Sequence, residues 1–146
     1  MTKDLRLKTG FTLIELLVVI SIIGILMAIS IFGLTGARES ARDGRRKADL
    51  EQIRSAIEIY KADCNGYPAS LVSPLVGDNT PTSCSSSNTY MEAIPTDPIA
   101  GRIYRYSATS NTYEICAALE NGSGTVSCGG SSNCGTVTCN YKVTNP

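Results

Sequence analysis

The sequence contains no histidine and no tryptophan, and only two of its 146 residues are phenylalanine. Without histidine the chain lacks the commonest general base, the usual partner of a serine or cysteine nucleophile, and the commonest zinc ligand. It also has no net charge, because thirteen Lys and Arg balance thirteen Asp and Glu, so no overall field attracts nucleic acid. We therefore predict a protein that is not an enzyme and that carries no cofactor.

Ionisable residues are also missing from one long stretch, residues 16–37. A helix over residues 11–34 reaches about 36 Å, which exceeds the bilayer's hydrocarbon core of about 30 Å. Buried helices of soluble proteins rarely run so long without polar residues. A cleaved secretory signal has a shorter apolar region followed by small residues, and small residues at 33–37 leave that alternative open. Membrane insertion is the favoured interpretation.

Residues 8–20 read KTGFTLIELLVVI, which resembles the N-terminal signature of the type IV pilin superfamily. The resemblance implies that prepilin peptidase cuts between Gly10 and Phe11, so that residues 1–10 are a leader peptide. It also implies that the new N-terminal Phe11 is methylated and that the apolar helix stays on the mature subunit.

Glu15 is the acidic residue within this apolar segment. An ionised carboxylate costs about 2.5 to 3.5 kcal/mol at the centre of a bilayer, whereas cleavage before Phe11 creates a positive α-ammonium. The resemblance implies that the amine of one subunit meets Glu15 of its neighbour and sets the register of assembly, which makes Phe11 and Glu15 the candidate assembly residues. In the alternative interpretation, Glu15 lies near a helix N-terminus, where a negative charge gains about 0.3 to 1 kcal/mol.

Six basic residues follow the apolar segment: Arg38, Arg42, Arg45, Arg46, Lys47 and Arg54. The positive-inside rule alone would place them in the cytoplasm, whereas the six cysteines beyond the span and the resemblance favour a C-terminal portion outside the cytoplasm. We predict the external orientation, which leaves the basic cluster unexplained. Nucleic acid is not a predicted partner, because no aromatic residues are interleaved for base stacking; lipid head groups or acidic neighbours are favoured.

The predicted helix continues past the membrane, because Leu50, Ile53, Ile57 and Tyr60 recur at helical spacing. Arg45 with Asp49 and Arg54 with Glu58 form possible ion pairs one turn apart. We expect the helix to end near Lys61, ahead of Gly66 and Pro68.

Residues 81–90 are expected to form an irregular loop, and three segments have the composition of strands: 102–108, 112–119 and 136–143. We therefore predict an α+β fold, in which the second half of a long N-terminal helix packs against a small antiparallel sheet. The expected divisions are a leader, a membrane and assembly helix, an extramembrane helix, and a head of loops and sheet: residues 1–10, 11–35, 36–67 and 68–146.

The six cysteines all lie beyond the span, and their even number suggests three disulfides in an oxidising compartment. Six cysteines permit fifteen pairings. The favoured set joins the helix end to the following loop, crosses two strands, and closes the Gly/Ser-rich loop at residues 121–140: Cys64 with Cys84, Cys116 with Cys139, and Cys128 with Cys134. Metal binding is the rival use of these cysteines, but without histidine or CxxC spacing we predict no metal site.

Residues 94–98, IPTDP, followed by Tyr104 and Tyr106, resemble the loop that enters the sheet of major pseudopilins from type II secretion. Proteins of that kind bind calcium with several acidic oxygens of a loop near the sheet. Residues 121–140 contain no Asp or Glu, so we do not predict calcium here. Asp97, between two prolines, is expected to form a turn.

These observations predict a structural subunit of a type IV pilus or pilus-like fibre, polymerised through its N-terminal helix. The alternatives are a pseudopilin of type II secretion or DNA uptake, and an anchored binding module that does not polymerise. The expected partners are sister subunits, prepilin peptidase, the pilus or secretion assembly machinery, and membrane lipid. The expected location is the cytoplasmic membrane, and then a fibre on the cell surface or in the periplasm.

Overall fold

The computed structural model describes residues 10–145, apart from the side chain of Phe32. The predicted leader lies outside these residues except for Gly10. The first element is helix α1, Leu13–Cys64. The chain forms two compact units, one ending at Arg38 and the other beginning at Glu39.

Helix α1 ends slightly later than expected. Asn65 follows it with φ of 57°, and its N–H donates to the carbonyl of Lys61 at 2.9 Å. A left-handed residue directly after the last turn is a common helix terminus, and asparagine tolerates that conformation better than most side chains. The chain therefore turns at Asn65, just before Gly66 and Pro68.

The second unit contains two antiparallel sheets, so the α+β prediction is confirmed. The smaller sheet pairs β1, Leu75–Val76, with β2, Thr89–Met91. The larger sheet has the order β3-β4-β5, and its strands are Arg105–Ala108, Tyr113–Ala117 and Tyr141–Thr144.

The three predicted strands correspond to β3, β4 and β5, but each observed strand is shorter than its predicted range. The largest error is in the third, which was expected over 136–143 and forms only from Tyr141. Its first residues belong instead to a tight turn, where Cys134 donates its N–H to the carbonyl of Val137 at 2.9 Å. Strand β1 was not predicted, and the start of β2 falls within the predicted irregular loop, residues 81–90.

The predicted apolar face of the helix forms the core of the second unit. Leu50, Ile53 and Ile57 are fully buried, and Ile115 of β4 is buried with them. Burying such a side chain stabilises the fold by about 1.5 to 3 kcal/mol. A second buried cluster contains Cys116, Cys128, Cys134 and Cys139 together with Ala118. We call the second unit the head. It is held by an apolar core and, beside it, a core rich in sulfur.

Candidate functional site

The start of helix α1 is a capping box built by Thr12 and Glu15. The N–H of Glu15 donates to Thr12 Oγ1 at 3.3 Å, and the N–H of Thr12 donates to Glu15 Oε2 at 2.8 Å. The Thr12 hydroxyl donates to the same carboxylate oxygen at 2.7 Å. These reciprocal bonds satisfy donors that the first helical turn would otherwise leave unpaired. They also direct the carboxylate back towards the chain's N-terminal side.

Behind the capping box, α1 exposes a nearly continuous apolar surface. An 18-residue window has a mean hydropathy of 2.8, and none of it is buried within the chain. Phe11 is 85% exposed and Leu13 81% exposed. The hydroxyl of Ser21 donates back to the carbonyl of Val18 at 2.7 Å, which satisfies it inside the helix. By length and composition this helix can cross a membrane.

In the second unit, a buried cluster of ion pairs joins three segments of the chain. We call it the hub, and its members are Arg42, Asp43, Arg46, Asp97 and Glu120. The side chain of Arg46 is fully buried, and its Nε and Nη2 donate to Asp97 Oδ2 and Oδ1 at 2.7 and 3.0 Å. Its Nη1 donates to Asp43 Oδ1 and to Glu120 Oε1, both at 2.8 Å. Each of the three guanidinium nitrogens therefore donates to a carboxylate.

The carboxylates of the hub also bind backbone. Asp43 Oδ1 and Oδ2 accept the N–H groups of Glu120 and Asn121, each at 2.8 Å. Asp97 Oδ1 accepts the N–H of Ile99 at 2.8 Å. The expected role of Asp97 as a turn former is thus observed, but its carboxylate is also a main partner of Arg46. The hub fixes the position where the chain leaves β4 and enters the Gly/Ser-rich loop.

The hub lowers the pKa values of two of its carboxyl groups, those of Glu120 and Asp43. Hydrogen bonds from Arg42, reinforced by Arg46, lower the pKa of Glu120 to about 2. Burial opposes the ionisation of Asp43, but the N–H groups of Asn121 and Glu120 and the Arg46 guanidinium outweigh it and lower the pKa. Hydrogen bonds to Asp97 raise the pKa of Arg46 despite its burial. Glu120, Asp43 and Arg46 are therefore charged at neutral pH.

The hub and its neighbours supply partners for five of the six residues of the basic cluster, and the sixth, Arg38, belongs to the first unit. Within the second unit, Arg42 pairs with Glu120, Arg45 with Asp49 at 3.9 Å, and Arg54 with Glu51 at 3.5 Å. Lys47 lies over the Tyr141 ring, 5.7 Å from its centroid. The predicted pair of Arg54 with Glu58 is wrong, because Glu58 instead accepts the hydroxyl of Tyr67 at 3.1 Å. These cations therefore contact acidic or aromatic side chains of the second unit.

All six cysteines form disulfides, but two of the expected pairings are wrong. Cys64 pairs with Cys84, as expected. The other bonds are Cys116–Cys128 and Cys134–Cys139. Cys134 and Cys139 stand at the two ends of one tight turn, with Cα atoms 5.2 Å apart, and are bonded to each other. Cys116 of β4 joins Cys128 instead.

The described residues do not fit a calcium ion in the Gly/Ser-rich loop. Calcium takes several oxygen ligands, mainly carboxylates and carbonyls. The carboxylate at the loop's entrance, Glu120, is already bound by two guanidinium groups. A second possible metal cluster, Cys64, Asp78 and Cys84, has its two sulfur atoms joined in a disulfide, so it offers no thiolate.

Two family descriptions match the chain. Residues 5–31 match the prokaryotic N-terminal methylation motif, and residues 33–133 match type II secretion system (T2SS), protein G. No solved structure matches the chain significantly.

Several proteins named type II secretion system core protein G are similar in sequence. The protein of Aeromonas hydrophila is 33% identical over 98 residues, covering 64% of this chain and 68% of the relative. That of Pseudomonas aeruginosa is 33% identical over 109 residues, covering 70% and 75%. That of Vibrio cholerae is 32% identical over 108 residues, covering 71% and 73%.

Proposed function

Because this chain belongs to the family of type II secretion system protein G, whose members are structural pseudopilins, we propose that it polymerises into a pilus-like fibre of a secretion apparatus. The match over residues 33–133 carries the proposal. The names of the relatives favour the secretion pseudopilin over a surface pilin or a DNA-uptake pseudopilin. The role is structural, and the chain performs no chemistry of its own.

Processing occurs between Gly10 and Phe11, where prepilin peptidase removes the leader and the new terminus is methylated. The methylation motif supports this step. Gly10 and Phe11 are exposed and precede the first turn of α1. A peptidase needs an extended backbone at the bond that it cuts, and these residues are not committed to helical hydrogen bonds.

Assembly depends on Glu15 and the amine of a neighbouring subunit's Phe11. Within residues 10–145, no cationic side chain forms a salt bridge with Glu15; its recorded partner is Thr12. A carboxylate that is only hydrogen-bonded gains from a nearby positive charge, and it gains more in an apolar medium than in water. An α-ammonium brought in by a second copy supplies that charge.

The proposed place of the subunit is the cytoplasmic membrane, with the head outside the cytoplasm. The exposed apolar helix supports the anchor. The three disulfides support an oxidising environment for the head. Sister subunits, prepilin peptidase, the secretion assembly machinery and membrane lipid are the proposed partners.

Two substitutions at Glu15 separate assembly from helix capping. Glu15→Gln keeps a side chain able to close the capping box but removes the charge, whereas Glu15→Ala removes both. We expect both variants to insert into the membrane and neither to form fibres, as scored by electron microscopy and by sedimentation of sheared material. Ser21→Ala, in the same apolar segment, is the uncharged control and should assemble. Normal fibres from Glu15→Gln would contradict the ionic role.

Mass spectrometry of the native chain tests the processing step separately. The N-terminal peptide should begin at Phe11 and carry one additional methyl group. A membrane protein that retains residues 1–10 and stays monomeric would instead support the anchored binding module.

A further inference from the structure

The segment between β4 and β5, residues 118–140, has one acidic residue, Glu120, near its start. The last acidic residue before β5 is Glu120, and residues 121–140 contain neither Asp nor Glu. We call residues 118–140 the C-terminal loop. Despite its polar composition it contains three fully buried residues, Cys128, Cys134 and Cys139. The fully buried side chains of this loop are therefore cysteines, not large apolar residues or carboxylates.

The first half of the C-terminal loop is fastened to the sheet at Cys128. Its sulfur is bonded to Cys116 of β4, and its carbonyl accepts Arg105 Nε at 3.0 Å. The next residue, Gly129, donates its N–H to Glu114 Oε2 at 2.8 Å. One covalent bond and two hydrogen bonds thus join adjacent loop residues to β3 and β4.

The second half is closed on itself by Cys134–Cys139 and then joined to the segment before β3. The carbonyl of Cys134 accepts the N–H of Ile103 at 3.0 Å, and the N–H of Thr136 donates to the carbonyl of Gly101 at 2.9 Å. The disulfide keeps the turn in the shape that presents these groups. Carbonyl oxygens that could otherwise bind a cation are used in hydrogen bonds.

At the entrance to the loop, Glu120 is the carboxylate that a cation would need, and it is already bound by the side chains of Arg42 and Arg46. Glu120 accepts Arg42 Nε at 2.7 Å and Arg46 Nη1 at 2.8 Å, and the nearby Asp43 accepts backbone N–H groups. A divalent cation at Glu120 would face two guanidinium groups and would have to displace them. The electrostatics of this entrance oppose cation binding.

We propose that the C-terminal loop is ordered by the disulfides Cys116–Cys128 and Cys134–Cys139 together with the hub, in place of a bound divalent cation. Calcium and chelators then leave the structure of the folded head unchanged. The C-terminal loop unfolds locally when these two disulfides are absent. This property goes beyond the proposed function and does not depend on it, because it concerns the folding of the head in a single subunit.

Amide hydrogen exchange of the full chain in detergent micelles tests the proposal. In the wild type, adding calcium chloride or the chelator EGTA should leave exchange in residues 118–140 unchanged. In the double variant Cys134→Ser/Cys139→Ser, the exchange rate in this loop should rise by about tenfold or more. Without the disulfide, the locally unfolded loop has more conformations available, so local opening becomes more favourable. Cys116→Ser/Cys128→Ser should have a similar effect.

The double variant Cys64→Ser/Cys84→Ser is the matched control, because it removes a disulfide outside the C-terminal loop. Its exchange in residues 118–140 should match that of the wild type. Faster loop exchange of the wild type in EGTA would overturn the proposal, as would wild-type exchange in the two loop disulfide variants. If those variants do not fold, the comparison of calcium with EGTA in the wild type still decides whether a cation orders the loop.

Discussion

Arg46 and Asp97 form a bidentate ion pair, with both side chains almost completely removed from solvent. The two nitrogen–oxygen distances are 2.7 and 3.0 Å, and the side chains are 0% and 1% exposed. The partners lie 51 residues apart in the chain, so the pair joins helix α1 to the turn that precedes β3. A buried charge is tolerated only while its counter-charge is present, and this dependence makes the pair sensitive to substitution.

Replacing Arg46 should destabilise the head strongly. Arg46→Met retains an unbranched apolar side chain but leaves three carboxylates close together without their shared cation. We expect the free energy of unfolding to fall by about 3 to 5 kcal/mol. All seven tyrosines lie in the second unit, so urea unfolding followed by near-ultraviolet circular dichroism reports on the head specifically.

Arg45→Met is the matched control for Arg46→Met. Its side chain is 62% exposed, and its distance to Asp49 is 3.9 Å, so the loss should be no more than about 1 kcal/mol. Equal losses in the two variants would mean that burial of the Arg46 pair contributes nothing particular to stability.

Acid should weaken the head through Glu120. Its pKa is lowered from an ordinary value of 4.5 to about 2 in the folded chain. A carboxyl group with a lowered folded pKa contributes stability above its unfolded pKa, and this contribution is lost as the pH falls towards the folded pKa. The free energy of unfolding, measured in urea at a series of pH values, should therefore decrease between about pH 4.5 and pH 2.

Glu120→Gln removes the titrating group and should reduce the pH dependence in this interval. The exposed Glu92→Gln, in the loop after β2, should retain the wild-type profile. An unchanged profile in Glu120→Gln would show that other carboxyl groups dominate the acid response.

The sequence predicted the apolar half of the helix face but not the charged half. Leu50, Ile53 and Ile57 repeat at helical spacing, and apolar side chains on one face indicate burial. Asp43 and Arg46 continue the same spacing, seven and four residues before Leu50, but the basic cluster was assigned to lipid head groups or unspecified acidic neighbours and not to the buried face. The spacing was the signal that could have identified them. Their distant partners could not be found from one sequence, because ion pairs across 51 to 78 residues leave no local pattern.

The disulfide pairing was predictable only where secondary structure constrained it. Cys64 ends a helix whose terminus the sequence indicates, which made Cys84 in the following loop a reasonable partner. The remaining four cysteines lie in and around a segment without periodic apolar residues, so neither strand limits nor spacing selected among their pairings. The early start predicted for the third strand and the wrong pairing of Cys139 have the same cause, because both treated residues 136–140 as extended.

Disulfide mapping should find Cys116 linked to Cys128 and Cys134 linked to Cys139. Cleavage after glutamate, under non-reducing conditions, releases residues 115–120 attached through Cys116 to residues 121–146. Fragmentation of this linked product by tandem mass spectrometry should place the bond at Cys128. A bond between Cys116 and Cys139 would restore the pairing expected from the sequence and contradict the structure of the C-terminal loop.

Gly135 should tolerate alanine much less well than Gly130. Both residues have positive φ, 93° and 77°, so alanine at either position costs about 1 kcal/mol or more in backbone strain. At Gly130 no atom lies within 4 Å of an added Cβ, whereas at Gly135 the added atom would overlap the carbonyl oxygen of Gly101. That carbonyl also accepts the N–H of Thr136, so moving it breaks the contact between the C-terminal loop and the segment before β3. In urea unfolding, Gly135→Ala should therefore lose about 1 to 3 kcal/mol more than Gly130→Ala; equal losses would mean that the loop does not approach Gly101 in solution.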